Sequence, residues 1–417
     1  VVKVTPPGDT AAGSPSVLRR LNLAHVLRVI RSEGPMPRSD VVRASGISKP
    51  TVNEVVETLL AEGLITESLD GGTDRPRRPG PRARLLQFNA RRRLVVGVDV
   101  ESSRILALLS DLDGTILGSA RRPTPHGGRQ DEVVRAVRQT VRDVVAQAEI
   151  DWSAVRAVVV GTPGIVDRES GTVRLVPQLS GWEGRPLARL LSDALAAPVL
   201  LEHDVHLAVI GEYWRGEAAG LRNAAYVQID VGVGMGFLID GTVYAGADGA
   251  AGEVGYLPVV RDLPTTAAAA GLGPFEAAAG ATAFSAFAAE AIARGDETSL
   301  RPVDGGEVSA SSVLAAAHDG DRTAAGIVDA VLGHLARGLA SIAAVLNPQI
   351  VVLGGEVGEQ LGAYVPWLQQ QLDAAVPAPP RVHVTSLEDQ AIALGAVRRG
   401  IDTVEAQIFD QIGAATG

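Results

Sequence analysis

Residues 38–60 read RSDVVRASGISKPTVNEVVETLL, and their spacing sets the first part of the fold. Val41 and Val42 give a short helix over about Arg38–Ala44 its apolar side. Gly46 follows, where a sharp turn between helices needs positive φ. Ser48 is placed to N-cap the next helix, whose first turn tolerates Pro50. Val52, Val55, Val56, Leu59 and Leu60 then share one face, which leaves Lys49, Thr51, Asn53 and Glu54 toward the exposed N-terminal end. A helix pair of this kind is the helix-turn-helix layout, in which the second helix enters the major groove. Ser48, Lys49, Thr51 and Asn53 are the candidate DNA contacts, and Lys49 and Asn53 suit phosphate as well as base edges.

Upstream, Leu18, Leu21, Leu23, Val26, Leu27 and Ile30 recur at helical spacing and predict a first helix over about Pro15–Ser32. Residues 1–16 are small, polar and proline-containing, the composition of a disordered arm. Downstream, Leu64–Ser68 and Arg84–Phe88 are β-prone and flank Gly71–Arg84, GGTDRPRRPGPRAR. Three helices and a hairpin read as a winged helix-turn-helix. Arg77, Arg78 and Arg82 on the wing suit a narrow minor groove, where negative potential is focused.

Charge supports the division. The 417 residues carry a formal net charge of −10, but residues 1–93 hold 16 basic and 9 acidic residues, leaving 22 and 39 for the remainder. A basic arm on an acidic body points to an anionic polymer as the partner of the arm. Cysteine is absent, which excludes disulfides, thiolate metal sites and thiol catalysis. No uncharged apolar run reaches the roughly 18–20 residues of a membrane span, and no compact signal segment opens the chain, so the expectation is a cytoplasmic protein with no membrane partner.

From Leu94 the texture is mixed α/β. Leu94–Val100 and Ile105–Asp111 read as a hairpin, and Val155–Val160 as a strand running into Gly161–Gly164. Val199–Leu201 ends at Glu202-His203-Asp204-Val205-His206. Ala225–Ile229 leads to a glycine-spaced turn over 232–236 and a strand Phe237–Ile239, and Ile350–Leu353 runs into Gly354-Gly355 and a helix. Strand-to-glycine turns let backbone N–H groups approach an anion or a sugar.

Six segments, LVVGVDV (94–100), GTPGIVD (161–167), VPQLSGW (176–182), LLEHDVHLAVIGE (200–212), DGTVYAGADGAAGEVGY (240–256) and NPQIVVLGGEVGE (347–359), stand in the order and spacing of the ROK family. The whole chain resembles that family's winged-helix repressors. The resemblance implies an α/β fold: a winged helix-turn-helix followed by the two-lobed actin, Hsp70 and sugar-kinase architecture with a sugar cleft between lobes. It sets expected boundaries of a disordered 1–16, a winged helix over 17–90 and an effector-binding, oligomerising body over 91–417. Within the body, lobe 1 is expected over about 91–209 plus 391–417 and lobe 2 over about 210–390.

The same resemblance marks what has changed. The family kinases hold ATP phosphates with a DxGGT turn and a GTGxGxG loop, whereas this chain has Asp99-Val100-Glu101-Ser102-Ser103 and Asp230-Val231-Gly232-Val233-Gly234. Carboxylates beside a triphosphate repel it, and valine donates no hydrogen bond. Their Asn-Asp sugar pair is His203-Asp204 here, and their ExGH motif is Glu253-Val254-Gly255-Tyr256. Glu276 matches a family glutamate, and Gln178 stands where a sugar-contacting Asn is common. Gln178, His203, Asp204, Glu253, Tyr256 and Glu276 are the candidate effector contacts. Family zinc sites use that His and three cysteines, so no such metal site is expected, and Leu257–Gly273 is expected as a looser lid. The expectation is a non-enzymatic repressor without cofactor, a dimer or tetramer on an inverted-repeat operator, released by a carbohydrate. A sugar kinase, a ligand-independent DNA-binding protein and a metal sensor using His203 and His206 are the alternatives.

Overall fold

The computed structural model describes residues 15–69, 84–125, 131–176, 179, 181–259, 272–302 and 306–414. Arg77, Arg78, Arg82 and Gln178, the expected disordered arm up to residue 14, and most of the expected lid fall outside these.

Three helices open the chain: α1 (Pro15–Glu33), α2 (Arg38–Ser45) and α3 (Lys49–Ala61). Gly46 sits at φ 67°, in the left-handed region, and its N–H caps Val42. Strands β1 (Met36–Pro37), β2 (Ile65–Leu69) and β3 (Arg84–Phe88) form a small sheet in the order β1-β3-β2, with Ile65 opposite Phe88 and Met36 opposite Leu86. β1 is too short to leave an alternating pattern, and its place was not legible in the sequence. The expected cap at Ser48 differs in detail. Ser48 holds the N-cap position, but its side chain takes no helix amide; its hydroxyl meets the Thr51 hydroxyl at 2.8 Å.

The body contains two five-stranded sheets among the described residues, and both have the same topology. In the first, β4 (Leu94–Val100), β5 (Arg104–Asp111) and β6 (Ile116–Pro123) form an antiparallel meander, and β7 (Val155–Thr162) and β10 (Val199–His203) add in parallel beside β4. In the second, β11 (Ala224–Ile229), β12 (Val233–Ile239) and β13 (Thr242–Val243) form the meander, and β14 (Ile350–Gly354) and β15 (Arg381–Val384) add in parallel beside β11. A further small pair, β8 (Ile165–Asp167) with β9 (Thr172–Arg174), follows β7.

β4 is buried at every position, which accounts for its unbroken apolar reading rather than an alternation. Helices α4 (Glu132–Gln147) and α5 (Leu187–Leu195) cover one side of the first sheet. The second is packed by α7 (Ala281–Arg294) and the long α8 (Arg322–Leu346). α8 is long and apolar enough to cross a membrane, yet its apolar face is spent on this core.

The glycine-spaced segment 232–236 is not one turn, as the sequence suggested. Gly232 belongs to the turn, while Gly234 and Gly236 lie inside β12. A Cβ on Gly236 would come within 2.0 Å of the Val205 carbonyl, so these glycines let β12 pack against helix α6 (Asp204–Arg215) instead of wrapping an anion.

The last described helix, α9 (Ala391–Ala414), lies across β4, β7, α6 and α1. Leu23, Val26 and Ile30 of α1, Val95 and Leu108 of the first sheet, and Val397, Ile401 and Val404 of α9 form one apolar cluster. The Arg31 guanidinium closes that joint, bonding Asp113 at 2.9 Å, pairing with Glu405 and reaching the Leu112 carbonyl.

Candidate DNA interface and effector cleft

At the start of α3 Lys49 is exposed and Thr51 and Asn53 are half-buried, flanking the buried face of Val52, Val55, Val56 and Leu59. Glu54 would repel a phosphate there, but Arg19 pairs with it at 2.9 Å. Ser48, Lys49, Thr51 and Asn53 are thus brought together at one helix end.

The cleft lies between the two sheets, a cavity of about 1100 Å³. At one end, His203 closes β10 and Asp204 opens α6. Both are buried, with Nε2 of His203 3.3 Å from Asp204 Oδ1 and 3.8 Å from Glu253 Oε1. Asp204 Oδ1 also accepts from the Val205 N–H at 2.7 Å. Glu253 is held by its neighbour: Gly252 has φ 107°, and a Cβ there would stand 1.8 Å from the Met235 carbonyl. His206 Nε2 lies 2.9 Å from the Ala251 carbonyl, tying α6 to the same loop, and its ring meets that of His203 edge-on at 5.0 Å. Glu276 accepts from the Gly273 N–H at 2.7 Å while lining the cavity, and Tyr256 stands exposed at its rim.

Burial governs the protonation of this end. It pushes Asp204 up to about 6, and it pushes Glu253 up to about 7 with help from Asp204 and Glu276. Burial holds His203 down to about 4, so its ring is neutral at neutral pH. Glu253 then both donates and accepts near pH 7, the pairing that a sugar hydroxyl offers in return. Glu202, by contrast, turns away from His203 to Arg168 at 2.8 Å and Arg399 at 3.2 Å. Among the described residues no three His, Asp or Glu side chains converge as a metal set, so the dense 202–206 cluster in the sequence splits between two environments.

The other end of the cavity carries residues that sequence reading did not place in a site. Arg104, at the start of β5, donates to Glu101 at 2.7 Å and to the Asp389 carbonyl at 3.0 Å, and lies 3.3 Å from Asp99. In an arginine-rich chain a single Arg gave no signal. Glu307, Ser309 and Gln360 also reach the cavity from the second lobe, and no local motif marks them.

The sequence model of the ROK family matches residues 95–399, and that of a winged helix-turn-helix DNA-binding domain matches residues 23–66. The xylose repressor of Caldicellulosiruptor bescii is 25% identical over 392 residues, spanning 92% of this chain and 96% of that protein. The glucokinase of Thermotoga maritima is 31% identical over 265 residues, 63% of this chain and 82% of the kinase. Among solved structures, a ROK family transcriptional regulator described as a homolog of the E. coli MLC protein superposes with a TM-score of 0.75 at 20% identity, over 94% of this chain and 99% of that one.

Proposed function

Because the chain belongs to the ROK family and carries a winged helix-turn-helix DNA-binding domain, we propose that it is a transcriptional repressor released from its operator by a carbohydrate held between the two sheets. The observation that carries the reading is α9. Its first residues, Ala391 and Ile392, line the cavity, and its middle, Val397 to Val404, shares an apolar core with α1 of the DNA-binding domain. A ligand that shifts the cavity wall therefore acts on the element that seats the winged helix, provided it binds the two arrangements unequally.

Asp204 and Glu253, with His203 between them, are the groups that hold the sugar hydroxyls, and Glu276 and Tyr256 border them; Gln178 is a further proposed contact. Lys49, Asn53, Ser48 and Thr51 contact the operator from α3, and Arg77, Arg78 and Arg82 from the wing. A symmetric dimer or tetramer on an inverted repeat fits this mode of DNA binding. The likeness to repressors over almost the full chain supports regulation over catalysis. So does Glu101, whose carboxylate stands where the resemblance places a phosphate-binding glycine.

A thermal-shift screen over neutral sugars, with release from operator DNA selected from random sequence, tests the reading. A sugar that raises the melting temperature and frees the DNA supports it, and sugar-dependent ATP turnover would replace it with a kinase. Lys49→Ala and Asn53→Ala should each weaken operator binding by about 1–3 kcal/mol. Unchanged affinity in both would remove α3 from the interface.

A further inference from the structure

The two sheets share one topology, so their first hairpin turns are equivalent positions. Glu101 follows β4 directly and Asp230 follows β11 directly, and both turns face the same cavity. Each places a carboxylate where the meander reverses. Asp230 is anchored through Oδ2 to the Gln228 amide at 2.8 Å and through Oδ1 to the Glu356 N–H at 2.5 Å. The charges it senses most are Asp204 and Glu356, both acidic. Glu101 shares Arg104 with Asp99 and Asp389, so one guanidinium is divided among three acids.

A second observation is independent of charge. Gln228 lines the cavity with its side chain nine-tenths buried, and its Oε1 has no hydrogen-bond donor. A buried acceptor without a donor is costly, and a donor supplied by a ligand would relieve that cost. The acids are spread along the wall, and among the described residues no three of them converge as ligands of a point ion. The same wall also carries apolar groups, Val231, Val357 and Ile392. The cavity of about 1100 Å³ slightly exceeds the roughly 300–1,000 Å³ usual for small-molecule sites and has room beside a sugar at Asp204.

We propose that this half of the cleft is a subsite for a protonated primary amine on a carbon stem, held between Glu101 and Asp230 with Gln228 accepting one of its N–H groups. Charged N–H donors suit the two carboxylates and the free amide oxygen together, and the apolar groups of the wall take the stem. The amine is either that of a free polyamine or one borne by an amino sugar. The proposal uses the same cavity as the carbohydrate reading and does not require that reading to hold.

Isothermal titration of the full chain at fixed ionic strength tests it, with spermidine, D-glucosamine, N-acetyl-D-glucosamine and magnesium as probes. Saturable one-site binding of spermidine or of glucosamine is expected, weakened about tenfold or more in Asp230→Asn and in Glu101→Gln. Spermidine binding without any sugar assigns the free amine. Glucosamine binding that the N-acetyl sugar does not reproduce assigns the amine of an amino sugar. If Asp230→Asn does not fold, Glu359→Gln on the same wall replaces it, with the same direction expected.

The subsite is overturned if both amines give only heats of dilution. It is equally overturned if magnesium at the same concentration displaces them fully, or if the folded variants bind as well as the parent. Neutral sugars that bind while amines do not would overturn the subsite and leave the carbohydrate reading standing. Amine binding without any neutral-sugar binding would do the reverse.

Discussion

The two lobes have one strand order and two uses for it. On one face of the second sheet lie α7 and α8, where Ala283, Ala288, Ala291, Leu335 and Leu339 fill the space with small or flexible side chains. Its other face, through Tyr226, Leu238 and Val352, packs on α6 and the start of α9. The first sheet is covered on one side by α4 and α5, and its other side is let out to α9 and the winged helix. Both sheets thus meet the α6 and α9 layer, but only the first also shares its apolar cluster with the winged helix. The difference lies in which helix pairs are forced into backbone contact. α6 and α9 cross where a Cβ on Gly395 would be 1.8 Å from the Leu207 carbonyl and one on Gly211 would be 2.2 Å from the Ala391 carbonyl. Gly326 of α8 has nothing within 4 Å of that position.

The largest effect that tests this comparison is Gly395→Ala. Its methyl meets backbone, which cannot rotate away, so the variant should lose more than about 4 kcal/mol or fail to fold in a urea melt. An intact melt would show that the crossing is slack and that α9 does not seat the winged helix tightly. Next come Ile401→Ala and Leu335→Ala, each a fully buried aliphatic truncated in one lobe's core and each costing about 2–4 kcal/mol. Equal losses of stability should have unequal consequences. Operator affinity should fall with Ile401→Ala and stay with Leu335→Ala, and equal affinities would erase the distinction between the lobes.

A smaller effect follows from the cleft. A carboxylic acid whose pKa is raised by folding adds stability below its unfolded value and withdraws it as pH climbs through the folded one. Glu253, raised from 4.5 to about 7, does so across that window, whereas His203, lowered from 6.5 to about 4, acts with the opposite sign. Glu253→Gln removes the acid's share, so its unfolding free energy in urea melts should gain on the parent between about pH 5 and about pH 8, by on the order of 1–2 kcal/mol after solvent screening. A gain independent of pH would mean that Glu253 is not buried as described. The smallest is Gly326→Ala on the exposed side of α8, which should stabilise the chain by about 0.5–1 kcal/mol in the same urea melt. A loss there would mean that α8 has a neighbour at that position.

Most of the winged helix was legible because its signals are local: periodic valines, a glycine needing positive φ and a proline in the first turn of α3. The parallel strands were legible from runs of valine ended by glycine. Residues 234 and 236 misled, because a glycine that admits a neighbouring helix and one that turns the chain look alike in sequence. The 202–206 cluster showed the same limit. Alternation along β10 sends Glu202 to Arg168 and Arg399 while His203 faces the cleft, and the sequence cannot say which neighbour each acid meets. Arg31 was invisible for a simpler reason, since its partner Glu405 lies far along the chain. Arg104 does have local acids in Asp99 and Glu101, but its tie to Asp389 is as distant in sequence.

The shared core at α9 has a further consequence for how the molecule can be taken apart. α9 is 24 residues long, or ~36 Å as an ideal helix, and it belongs at once to the cleft wall and to the seat of the DNA reader. Excising the first 90 residues would strip Leu23, Val26 and Ile30 of the apolar surface they rest on and leave Val397 and Ile401 facing water. The reader is therefore not a cartridge to be fitted to another sensor by cutting at the linker. A working chimera would have to inherit α9 along with the reader, although nearly the whole length of the chain separates them.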